Sequence, residues 1–158
     1  SAADNAQTEM DFSEVTFRED LIGSAIPLPE DEIVSACDHD LVVSGLATEL
    51  KRRKVKIGND SENELFAVDP SENRISHIFE VLTDAKEKSI LAAAGKLLLQ
   101  TSVTAVNLLP VLVLPDYRLS YYGQELKRLN VSVIGFHWQN EKAVFSGLEK
   151  LSLSNKVQ

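Results

Sequence analysis

Between Glu64 and Gln100 the chain reads as two short apolar segments joined by a turn, followed at once by a helix. No other stretch constrains the fold as much. Residues 65–68 and 75–82 have the length and apolar character of strands, and Pro70-Ser71-Glu72-Asn73 between them is turn chemistry. Asp84 and Glu87, three apart, form a capping pair ahead of Ile90, Leu91, Ala94, Leu97 and Leu98. Glu64 stands at the start of the first strand, and Glu80 interrupts the apolar run of the second. A carboxylate inside such a run is costly unless it is paired, metal-bound or on an open face. Alternation would also allow Glu80 to be the outward residue of an edge strand, and Glu64 to be a solvated residue of the acidic loop with Asp60 and Glu62.

The rest of the chain extends this pattern. Residues 31–54 carry Ile33, Val34, Cys37, Leu41, Val42, Leu46 and Leu50 mostly at helical spacing, with Lys51 to Lys54 in the last turn, where cations suit the helix dipole. Residues 58–63 are polar and turn-rich. Residues 108–114 form an almost wholly apolar strand, as expected when both sheet faces are covered, with Pro110 marking a break in pairing near its start. Residues 116–129 predict an amphipathic helix through Tyr117, Leu119, Tyr122, Leu126 and Leu129, and residues 131–136 a further strand. Residues 142–151 fit either strand or helix. The order helix, β-hairpin, helix, strand, helix, strand predicts an α/β chain, a mixed sheet with helices packed on it.

At 158 residues and 44% hydrophobic, the chain can bury one good core. Residues 1–12 read as a disordered tail and 13–158 as a single domain, with its core at about 41–138. No apolar run approaches the length of a membrane span, and the first residues lack the apolar centre of a secretory signal. The one cysteine, Cys37, rules out an internal disulfide and a cysteine-rich zinc site; an intracellular, cytoplasmic setting is expected.

The net charge of −8 is unevenly spread. Residues 1–40 hold eleven acids and Arg18, a net of −10, whereas residues 41–158 hold thirteen acids and fifteen Lys or Arg, a net of +2. The body is therefore mildly basic. Its densest cluster, Lys51, Arg52, Arg53 and Lys54, is the candidate for phosphate contact, although a charge run at a helix end is usually a solvated face. Other chemistries find little support. There is no Gly-rich phosphate loop and no Gly-x-Ser-x-Gly elbow, and His39, His77 and His137 show no metal-ligand spacing. Tyr121, Tyr122 and Trp138 are of types that stack on bases, yet such residues are more often core or rim.

With these elements in place, the chain resembles the PD-(D/E)xK nuclease superfamily, the restriction-endonuclease-like fold. The likeness rests on Glu64-Leu65-Phe66-Ala67-Val68, on Ile78-Phe79-Glu80-Val81-Leu82-Thr83, on Ala94-Gly95-Lys96-Leu97-Leu98-Leu99-Gln100, and on the later strands at 110–115 and 129–134. It implies phosphodiester hydrolysis with Mg²⁺ or Mn²⁺ held by Glu64 and Glu80 from neighbouring strands, acting on DNA or RNA. It also implies a lysine two residues after Glu80, on the same face; this chain has Leu82 there. Lys96 is the first substitute, since some divergent members take the lysine from this helix, and Lys86 the second; a core with no functional lysine is the alternative. Against Lys96, it lies about 160° around the helical wheel from the apolar stripe and faces solvent unless the Ala92-Ala93 side also packs. Glu49, on the first helix, is the usual place for an additional carboxylate. By analogy, a homodimer or a partner protein is expected.

Three classes of function thus stand side by side: an active metal-dependent endonuclease; a catalytically silent nuclease-fold domain that binds nucleic acid or protein; and an acidic immunity-type or inhibitor-type module whose leader engages a basic partner.

Overall fold

The computed structural model describes residues 15–19, 30–84, 86–103 and 107–153. The expected tail at residues 1–12 falls outside the described residues, and so do the side chains of Ile33, Val34 and Cys37. Helix α1 (Glu30–Arg52) leads into β1 (Lys56–Gly58), β2 (Leu65–Asp69) and β3 (Arg74–Val81). Helix α2 (Glu87–Val103) precedes β4 (Leu109–Pro115); a 3-10 turn (Asp116–Arg118) and α3 (Leu119–Arg128) lead to β5 (Ser132–Gln139) and β6 (Lys142–Ser146). A second 3-10 turn spans Leu148–Lys150. No helix among the described residues is long and apolar enough to cross a membrane.

The six strands form one mixed sheet in sequence order, β1 to β6. β1–β2, β2–β3 and β5–β6 are antiparallel, and β3–β4–β5 are parallel. The helices divide between the faces. On one side α1 buries Val42, Val43, Leu46 and Leu50 against Leu65, Ala67, Phe79, Val111, Val113 and Ile134. On the other, α2 and α3 bury Ile90, Ala94, Leu97 and Leu126 against Phe66, Ile78, Leu112 and Leu114. Burying both faces explains why β4 is apolar at every position between its prolines.

The expected hairpin, both long helices and the strands at 108–114 and 131–136 are present, and several details differ. Residues 56–58 form a short edge strand that the sequence pattern does not mark, overlapping the expected turn at 58–63 only at Gly58. Residues 142–146 are a strand, closing the far edge. The first turn of the expected 116–129 helix is 3-10, and Tyr117 and Leu129 face outward at 71% and 51% exposure. Leu41 is likewise turned out of the α1 stripe. Helix α2 starts at Glu87, later than the expected Asp84–Glu87 capping pair requires; Asp84 instead braces the turn before it, its Oδ1 accepting the Lys86 N–H at 3.0 Å and its Oδ2 the Ser89 hydroxyl at 3.1 Å. Near the β1 edge, the Asn59 side chain brackets the Arg18 main chain, accepting its N–H and donating to its carbonyl, both at 2.8 Å.

Candidate functional site

Glu80 does not lie on an edge strand. β3 is interior, hydrogen-bonded to β2 on one side and β4 on the other, so the edge-residue explanation of this carboxylate fails. Glu80 shares the α2 face with Ile78, near the carboxyl end of the parallel strands, where open α/β sheets bind ligands. One step beyond the Leu65–Phe79 pair, the antiparallel register sets Glu64 across from it.

Lys96 comes down onto this carboxylate from α2. Its Nζ donates to Glu80 Oε2 at 3.1 Å, with the lysine 46% and the glutamate 18% exposed. The approach is possible because Ala93 and Ala94 are both buried, so α2 presents a wider apolar face than the leucine stripe alone. Small side chains there let the helix sit low enough for Lys96, at the margin of that face, to reach over. Leu82, where the lysine was expected, is instead a packing residue of the α2–α3 side. Its backbone N–H donates to the Val113 carbonyl at 2.9 Å.

On the other flank, His39 from α1 reaches Glu64. Its Nε2 stands 3.1 Å from Glu64 Oε2, and its Nδ1 3.6 Å from Asp40 Oδ1. The Glu64 contact is an ion pair onto an oxygen that is shut off from solvent. Burial alone pulls the His39 imidazole down, but the carboxylates of Glu64 and Asp40 outweigh it and hold the ring above its ordinary value. For Glu80, burial pushes the carboxyl up; Lys96 and His39 oppose this, and Glu64 adds to it. The loop before Glu64 is tied to α2 by Gln100, which donates to Asn63 Oδ1 at 3.1 Å.

Sequence reading singled out Glu64, Glu80 and Lys96, and the structure brings these three together. It missed His39, which lies one helical turn before Val42 and Val43 and so enters the sheet-facing side of α1. Spacing against those core positions was the available signal. The expected phosphate cluster lies elsewhere. Lys51, Arg52, Arg53 and Lys54 close α1 beside the start of β1, whereas the two carboxylates lie past the other end, beyond the Gly58–Phe66–Ile78 level. Glu49 holds both arginines, at 2.6 Å from Arg52 and 2.9 Å from Arg53, and Arg52 foremost draws its carboxyl down to about 2. Lys51 Nζ stands 5.5 Å from the centre of the Phe17 ring. Glu49 is thus engaged by arginines and is no part of the Glu64–Glu80 group. His77 is a core residue, 1% exposed.

Among the described residues, no group of three or more His, Cys, Asp and Glu side chains is arranged to hold a metal ion. Comparison with family models, curated proteins and solved structures finds no match for this chain.

Proposed function

We propose that this chain is a divergent PD-(D/E)xK nuclease domain with a restriction-endonuclease-like core, hydrolysing phosphodiester bonds in nucleic acid. The observation that carries the reading is the convergence of Lys96, from the helix, on Glu80, from the strand, with Glu64 across the hairpin. A lysine beside a carboxylate pair is what the strand position at Leu82 lacks.

The donor set suits Mg²⁺ or Mn²⁺. Such cations are usually held by one or two carboxylates, with water and substrate oxygens completing the shell, so a three-residue protein cage is not required. Glu64 Oε2, shut off from solvent and 3.1 Å from His39 Nε2, would exchange that contact for the ion. Glu64 and Glu80 would hold the ion, which when bound offsets charge on the phosphate and acidifies a water. Lys96 keeps a cationic donor beside Glu80, placed to orient a water or a phosphate oxygen. His39 positions Glu64.

The test is a cleavage assay on plasmid DNA, single-stranded DNA and structured RNA with Mg²⁺, Mn²⁺ or EDTA, beside Glu80→Ala. Metal-dependent cutting that vanishes in the variant is expected. No cutting by well-folded protein under any condition would overturn the reading and leave a catalytically silent binding domain.

A further inference from the structure

A second cluster of polar side chains gathers on the α2–α3 face of the sheet, away from Glu80. Asp116, just after β4, receives His137 of β5 and Ser146 of β6 on its two carboxylate oxygens. His137 Nδ1 lies 2.7 Å from Oδ2, and the Ser146 hydroxyl donates to Oδ1 at 3.0 Å. The backbone is shaped for this contact: a Cβ at Gly135 would stand 2.1 Å from Asp116 Oδ1, so only glycine leaves the carboxylate its place.

The consequence falls on the far side of the imidazole. With Nδ1 engaged by a carboxylate, the ring is fixed in orientation, and Nε2 is the nitrogen left to meet a ligand. His137 is 50% exposed, and Ser146 holds the other Asp116 oxygen inward. Nε2, on the side of the ring away from Asp116, is placed to donate to an anionic oxygen. Tyr117, next to Asp116 and 71% exposed, adds an aromatic surface of the kind on which bases stack.

We infer that His137, oriented by Asp116, contacts a backbone phosphate of the nucleic-acid strand that Glu64 and Glu80 engage. This rests on the nuclease reading and adds a second point of attachment to it. The register gives the span. Glu80 and Val133 are both level with Leu112, and His137 lies four residues further along β5. At ~4.8 Å between strands and ~3.3 Å per residue, the two sites are roughly 16 Å apart. That is about five nucleotides at the ~3.4 Å rise of a stacked strand.

The experiment compares labelled single-stranded oligonucleotides of four and sixteen nucleotides by fluorescence anisotropy, with Ca²⁺ in place of Mg²⁺, and measures kcat and KM for cutting of the longer one. His137→Ala is expected to weaken sixteen-nucleotide binding about fivefold to tenfold. Its salt slope should fall by less than the ~0.7 of a fully charged phosphate contact, because Asp116 offsets part of the charge. KM should rise with kcat unchanged, four-nucleotide binding should be unaffected, and His137→Lys should restore most of the loss. Unchanged affinity, salt slope and KM in His137→Ala, from a wild type that binds and cuts, would overturn this inference and leave the nuclease reading intact. A wild type that neither binds nor cuts would overturn both.

Discussion

Lys96 Nζ lies 3.1 Å from Glu80 Oε2 although the two residues are 16 positions apart and belong to different elements. Leu82, two residues from Glu80 and on the same face, is given over to packing. On the proposed nuclease reading, charge and core have exchanged places between strand and helix.

This exchange can be tested directly. Lys96→Met should lower cleavage by about 10²–10⁴-fold, the usual size of a proton-transfer or water-orienting contribution. Adding Leu82→Lys to that variant should recover at least about tenfold, because position 82 points toward Glu80. Cleavage rates across the four combinations decide it. If Lys96→Met cuts as fast as wild type, the contact is only a surface ion pair, worth little in either stability or rate.

Glu80 should also cost the fold stability. Burial raises its carboxyl pKa above the ordinary value, so on acidification the folded state takes up this proton before the unfolded state does. The penalty is full above the raised folded value and gone below the ordinary carboxylate range. Glu80→Gln is therefore expected to melt higher than wild type at pH 7 while losing cleavage. The difference in melting temperature should shrink as the pH is lowered. Equal melting temperatures at pH 7 would show that Lys96 fully offsets the burial.

His77 predicts the opposite trend. It is buried beside Phe79, its Nε2 without a partner, and burial first, then the Arg74 charge, draws it down to about 4 from 6.5. Below pH 6.5 the unfolded chain gains a proton that the folded chain refuses until about pH 4, so stability is full above 6.5 and falls through that window. The loss at its largest is about 3 kcal/mol. Chemical denaturation at pH 7 and pH 4.5 should show a smaller decline in His77→Phe than in wild type. Parallel declines would remove His77 as a cause.

Two glycines should respond differently to alanine. Gly135→Ala pushes a methyl group into Asp116 Oδ1 and Leu119 Cδ1, at 2.1 and 2.5 Å. It should destabilise by about 1–3 kcal/mol, as overpacking does, and free His137 from Asp116. Gly95→Ala meets nothing within 4 Å on α2 and should stabilise by about 0.5–1 kcal/mol through helix propensity. Thermal melts of the pair, with the His137 ring resonances followed by NMR, distinguish the two effects.

Periodicity and punctuation by themselves determined the hairpin at 65–82, the helix after it, the apolar central strand and Glu80 as a carboxylate inside an apolar run. These depend on neighbours within a few residues, so the local chain records them. Only the tertiary structure decided that Glu80 is interior, since strand order is set by distant pairings with β2 and β4. The same holds for Lys96: its reach depends on how closely the Ala93–Ala94 side settles on the sheet, which a helical wheel does not contain. His39 meeting Glu64, and Asp116 gathering His137 and Ser146, join residues 21 to 30 positions apart, or 25 in the first case. Such contacts arise where helices and strand ends converge over a shared core, and no local pattern in the sequence marks them.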